Sequence, residues 1–273
     1  MSDTTTSDSA KLEEPAEMAE SDESADAKES ADTDTDTVLE VEGLKKRFGS
    51  LTVLEDITVS FLTGQVVGII GANGSGKTTL LRLLVGDLSP TAGTVSYRGP
   101  PAERQLGYLP QRTTFRPEFT AHETLSFYAS LVDGPDPETL LERVGLQAAA
   151  DKRIDALSGG MRQLLGIAQA MVGDPPVVIL DEPASGLDAN MSQHVFDAAT
   201  ETAQQGNTVL LSSHDLELVA ETADTVVLLS EGRVLETGPP EALCERFDAE
   251  SLREVLSTIA EETGGVEVAG ADA

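Results

Sequence analysis

The chain is 273 residues long, enough to bury a full core in one large domain or two small ones. Asp and Glu number 48 against 18 Lys and Arg, a formal charge of -30, which excludes a nucleic-acid-binding surface because that needs a basic stripe. A single cysteine, Cys244, rules out an intrachain disulfide, and no apolar run approaches the roughly 18 residues of a membrane helix.

Residues 1–37 are mostly Ser, Thr, Asp, Glu and Ala, too poor in large apolar side chains to offset their ordering entropy, and are expected to form a disordered acidic tail. No basic-then-apolar leader is present, so the expected location is cytoplasmic. Val38–Glu42 reads as a short strand, with Phe48 in the loop after it, and Val53–Phe61 as a second, half-buried strand. The apolar run Gln65–Ile70 then leads into Gly71-Ala72-Asn73-Gly74-Ser75-Gly76-Lys77-Thr78-Thr79 and a leucine-rich helix. Strands follow at Gly93–Tyr97 and from Leu106, the latter closing at Pro110 and Gln111.

Residues 112–173 read as mostly helical. Thr120 with Glu123 forms a capping box, Leu140, Leu141 and Val144 mark a second helix, and Ser158 opens a third. Strand and helix then alternate again. Pro176–Leu180 is a short, wholly apolar run suited to a parallel strand buried on both faces, a helix spans about 191–203, and Thr208–Ser212 is the next strand. Val226–Leu229 and Arg233–Leu235 pair as a hairpin, and the chain is helical from about Pro240 to a frayed end. The expected organisation is a tail over 1–37, one nucleotide-binding unit over 38–240 and a helical extension over 241–273.

The glycine-rich stretch carries the first chemistry. Gly71, Gly74 and Gly76 allow consecutive backbone N–H groups, with those of Asn73 and Ser75, to curl around a polyphosphate, and the helix that follows points its positive end at the anion. In that loop Lys77 reaches the β- and γ-phosphates of ATP, Thr78 offers its hydroxyl to Mg²⁺, and Thr79 follows. Asp181 and Glu182 end the buried apolar strand, placing Asp181 to hold Mg²⁺ and Glu182 to face the water that attacks the γ-phosphate.

Leu157-Ser158-Gly159-Gly160-Met161-Arg162-Gln163 resembles the signature of ATP-binding-cassette (ABC) ATPases, and the resemblance covers the chain in order from about Val38 to Gly238. It implies an α/β P-loop NTPase cassette with a parallel-sheet core, an antiparallel β subdomain and a helical subdomain. It also implies that Ser158, Gly159 and Gly160 contact ATP held by an opposing copy, so that a homodimer sandwiches two ATP molecules. Phe48 matches the family's adenine-stacking aromatic, Gln111 the glutamine that senses Mg²⁺ and the attacking water, and Asp188 the acidic member of the loop crossing the dimer interface. His214 matches the switch histidine at the γ-phosphate, whereas His122 and His194 lack such placement and read as surface residues. Met161 and Gln169 depart from the commonest signature. The variant over 160–170 looks like single-cassette ATPases of exporter-type, multidrug or copper-processing systems.

The function implied is an ATP-hydrolysing subunit that powers solute movement through a separate integral membrane subunit, lying on the inner face of the cell membrane through that partner. A soluble ABC ATPase in repair, translation or cofactor assembly is the alternative, although neither a long coiled coil nor a second cassette is present. A nucleotide-gated scaffold is a third, opposed by the intact Glu182 and His214. The four aromatics Phe115, Phe119, Phe127 and Tyr128 of the helical region are expected either to line the partner's docking groove or to pack in a core. Beyond residue 37 the chain still carries 35 acidic against 16 basic side chains, and Arg outnumbers Lys by 12 to 6. This balance reads as that of a salt-loving organism's protein, since molar salt shortens the Debye length to about 3 Å and relieves the repulsion between ATP and the chain.

Overall fold

The computed structural model describes residues 36–262. The expected acidic tail, apart from its last two residues, and the frayed end lie outside the described residues.

Strands buried on both faces dominate the centre. Val66–Ile70 (β3), Val177–Asp181 (β6) and Thr208–Ser212 (β7) are buried at every residue, as their unbroken apolar runs require. With Leu106–Leu109 (β5), Thr225–Ser230 (β8) and Arg233–Gly238 (β9) they form a six-stranded sheet in the order β5-β6-β7-β3-β8-β9, parallel except for the β8–β9 hairpin. Alternate residues of each strand enter different cores. Val67, Ile69, Ile179 and Leu210 join a core with the helix Lys77–Leu84 (α1) and a three-stranded antiparallel sheet. Val66, Ile70, Val178 and Leu211 face a second core built by the remaining helices.

The antiparallel sheet has the order β2-β1-β4, from Thr37–Phe48 (β1), Leu51–Leu62 (β2) and Ala92–Tyr97 (β4). Here the sequence reading needs correction. The first strand does not stop at Glu42 but continues to Phe48, which ends the strand instead of lying in a loop. Register shifts between Val41 and Arg47 absorb the break in alternation, so the ladder with β2 persists through the polar Lys45–Arg47.

The helical region contains Ala121–Ala129 (α2), Pro137–Arg143 (α3) and Gly159–Ala170 (α4). The anticipated capping box is present: Thr120 Oγ1 accepts from Glu123 N at 3.0 Å, and Thr120 N donates to Glu123 Oε2 at 2.9 Å. Ala189–Gln204 (α5) joins β6 to β7. The helix Leu216–Thr222 (α6) has no counterpart in the sequence reading, and Asp215 caps it by accepting from Leu218 N at 3.3 Å. The C-terminal helical stretch is two helices, Pro240–Arg246 (α7) and Leu252–Glu262 (α8), separated where Asp248 takes φ 50.

Candidate active site

The glycine-rich loop runs from the end of β3 to the start of α1. Gly76, the residue before that helix, has φ 108, and a Cβ there would stand 2.6 Å from Leu54 Cδ2, so the close approach of β2 demands glycine. No side chain caps the helix, which leaves its first backbone N–H groups for a ligand. Lys77 Nζ donates to the carbonyls of Gly71 (2.8 Å) and Ala72 (3.3 Å), curling back over the loop. Burial pushes its ammonium below the usual lysine range, against the pull of Glu182 and Asp181.

Parallel register brings the acidic pair beside this loop. Asp181 pairs with Ser212 across β6 and β7. Asp181 Oδ1 accepts from Thr78 Oγ1 at 3.1 Å and from Ser212 Oγ at 2.9 Å, and Ser212 Oγ accepts in turn from Glu182 N at 2.9 Å. The other oxygen, Asp181 Oδ2, is buried with no hydrogen-bond partner among the described residues. An acceptor-only carboxylate oxygen left open beside a threonine hydroxyl is a donor set that fits a hard divalent cation such as Mg²⁺.

Glu182 follows at φ 50, an uncommon backbone for a non-glycine residue. Its carboxylate is buried, and Oε1 lies 2.9 Å from His214 Nε2. Burial raises its pKa, and the charges of His214 and Lys77 oppose the shift. A buried carboxylate with a raised pKa, one oxygen of which lies 2.9 Å from an imidazole nitrogen, has the properties of a general base.

One cavity of about 430 Å³ brings Asn73, Gly74, Gly76, Lys77, Thr78 and Thr79 together with Gln111, Glu182 and His214; Gly71, Ser75 and Asp181 are not among its lining residues, Asp181 being joined to it through its hydrogen bond with Thr78. Other expected site residues lie apart. Phe48 is not among the residues lining this cavity; the residue is 48% exposed, with Lys46 Nζ 4.9 Å from its ring centroid. Ser158, Gly159, Gly160 and Asp188 are also outside the lining. Ser158 Oγ caps α4 by accepting from Met161 N at 3.2 Å, and Asp188 Oδ1 caps α5 by accepting from Met191 N at 3.0 Å. The two caps are neighbours, since a Cβ on Gly160 would lie 2.3 Å from Met191 Cγ, whereas one on Gly159 would meet nothing within 4 Å. His194 is exposed, and His122 is engaged by Glu138 at 2.7 Å.

Two residues of this site were not singled out from the sequence. Val53 lines the cavity from β2, and nothing in a half-buried strand marks which residue faces a neighbouring loop. Ser212 had a signal, a polar residue ending an apolar strand of the same length as the one that ends in Asp181.

A family model described as ABC transporter matches residues 54–185. The Nod factor export ATP-binding protein I of Ralstonia nicotianae is 34% identical over 248 residues, covering 82% of this chain and 77% of that protein. The ABC transporter ATP-binding protein YdbJ of Bacillus subtilis is 36% identical over 210 residues, covering 73% of this chain and 68% of its own length. A solved ATP-binding subunit of an ABC transporter superposes with a TM-score of 0.71 at 29% identity, over 82% of this chain and 100% of that one.

Proposed function

Because the chain belongs to the ABC transporter family, as an ATP-binding subunit whose hydrolysis of ATP is coupled to transport, we propose that two copies close on two ATP molecules and thereby drive a separate membrane subunit of exporter type. The observation that carries this is the convergence of Lys77, Thr78, Gln111, Glu182 and His214 on one cavity. In this reading the loop from Gly71 to Thr79 holds the phosphates, with Lys77 leaving its backbone carbonyls to meet them. Thr78, Asp181 and Gln111 would hold Mg²⁺, which when bound offsets charge on the β- and γ-phosphate oxygens. Glu182 takes a proton from, or orients, the attacking water, and His214 positions the Glu182 carboxylate while facing the γ-phosphate.

Ser158, Gly159, Gly160 and Asp188 serve the opposing copy's ATP. Their support is that they adjoin one another through Met191 yet stand outside their own chain's cavity, with open space at Gly159. Phe48 offers an exposed ring for adenine. Phe115, Phe119, Phe127 and Tyr128, with the Arg116 guanidinium over two of the rings, line a hollow of about 240 Å³, which we assign as the groove receiving the membrane subunit. Exporter type is supported by the Nod factor export relative and by the signature variant over residues 160–170. Among the described residues no helix is long and apolar enough to cross a membrane, so the path for solute belongs to the partner. In this reading the chain lies on the inner face of the cell membrane through that partner.

The test is to purify the tagged Glu182→Gln protein with ATP and Mg²⁺ from detergent-solubilised membranes at molar salt and identify what accompanies it. A polytopic membrane protein is expected, and its recovery should fall when Phe127, which is 46% exposed, becomes Glu. Recovery of soluble proteins alone, across several detergents, would favour a role in repair or cofactor assembly.

A further inference from the structure

The segment between β4 and β5 holds an arginine that none of the ATP chemistry uses. Arg104 Nη1 donates to the carbonyl of Val172 (2.7 Å), two residues past the end of α4, and to that of Gln169 (3.3 Å) in its last turn, which also accepts from Val172 N at 3.3 Å. A cation at that end also suits the helix dipole. Just beyond, β5 lies against the same helix with no room to spare. A Cβ on Gly107 would stand 2.0 Å from Ala170 O, and one on Gly166 would stand 2.6 Å from Leu109 Cδ1. The strand backbone thus rests on the helix backbone at Gly107, the Leu109 side chain fills the space over Gly166, and the end near Arg104 is fastened by its guanidinium.

What lies at the other ends gives this fastening its meaning. β5 starts two residues after Arg104, and two residues beyond its end is Gln111, in the cavity. The opposite end of α4 is Ser158 and the glycine pair. We propose that Arg104 is a positioning residue for the ATPase reaction, pinning α4 to the root of β5 so that Gln111 and the Ser158–Gly160 end keep a fixed relation. The inference rests on the nucleotide reading above, in which Gln111 serves the chain's own ATP and Ser158 the opposing copy's. Both bonds leave the one Nη1, whose two N–H groups are held in the rigid guanidinium plane, whereas a lysine ammonium would have to hold the same pair of carbonyls from a flexible four-carbon stem.

The test compares Arg104→Met and Arg104→Lys with the parent, each as the full chain at molar salt. For Arg104→Met we expect kcat to fall about tenfold with the KM for ATP within about twofold, and for Arg104→Lys a partial recovery. Amide hydrogen exchange on nucleotide-free protein supplies a readout independent of turnover. It should quicken at residues 110–113 and at 158–162 together while Thr208–Ser212 keeps its protection. Faster exchange confined to 169–174, an unchanged kcat in folded Arg104→Met, or a kcat and KM that move only with the melting temperature would each overturn the assignment. Should Arg104→Met not fold, Arg104→Lys with the same two readouts decides it. A parent ATPase that does not depend on Glu182 would instead defeat the nucleotide reading, and the exchange pattern would still judge Arg104.

Discussion

At the scale of single residues, two adjacent carboxylates, one ending a strand and one just beyond it, are given different environments and therefore different chemistry. Asp181 accepts two hydroxyl hydrogen bonds on one oxygen and keeps the other open. Asp181→Asn should therefore lower the affinity for ATP with Mg²⁺ about tenfold, to near that measured with a chelator, as titration calorimetry would report. Glu182 is desolvated instead, and burial raises its pKa. A base must be ionised to work, and a raised pKa keeps the proton on to higher pH. The acidic limb of kcat against pH should accordingly lie above the 4.5 of an ordinary glutamate, and a limb at or below 4.5 would contradict this role. Glu182→Gln should cut hydrolysis about a hundredfold or more while ATP binding persists, which a filter-binding assay run beside a phosphate-release assay would separate.

At the scale of elements, α2 depends on a local device that can be removed alone. Thr120→Ala deletes one half of the capping box and should cost about 1 kcal/mol, a fall of about 2–4 °C in melting temperature for a domain of this size, with ATP affinity unchanged. That box was legible because Thr120 and Glu123 act over three residues. The buried strands β6 and β7 were legible for a related reason, since burial on both faces leaves an unbroken apolar run. What escaped depended on partners remote in sequence. The extension of β1 to Phe48 is sustained by pairing with β2 through register shifts, and a polar stretch read alone gives no hint of it. α6 is only seven residues long, with Leu216 and Val219 as its buried members, too few for a helical period to stand out. In the site itself, the loop and the acidic pair could be read directly, whereas the contribution of Val53 and the bridging by Ser212 arise only when β2 and β7 are set beside them. That Ser158 and Asp188 adjoin through Met191 was equally hidden, because a contact between helix starts leaves no periodic trace.

At the scale of the whole molecule, the charge of -30 should make stability a function of salt, and the sign follows from comparing what salt weakens with what it relieves. Ion pairs such as Arg98–Glu40, Arg153–Asp155 and Arg233–Glu55 have partly exposed partners, and pairs of that kind contribute at most about 1 kcal/mol each, so screening them costs little. Carboxylates without a basic partner are the majority, since residues 38–273 alone carry 35 acids against 16 bases. Their mutual repulsion acts over a Debye length of about 10 Å at 0.1 M salt and about 3 Å at 1 M, so raising salt removes a destabilising field spread over the entire surface. Relief exceeds loss, and the melting temperature should climb between 0.1 and 1 M KCl and then level off, with the KM for ATP falling over the same range because the nucleotide is itself an anion. NaCl should serve as well as KCl, whereas sucrose, which stabilises by exclusion without screening charge, should leave the KM for ATP unchanged, and this separates the two effects. Since the surplus is not confined to residues 1–37, a chain lacking them should keep most of the response. A protein fully stable and active in dilute buffer would show that these carboxylates are spaced too widely to repel, and would remove the salt-adapted reading.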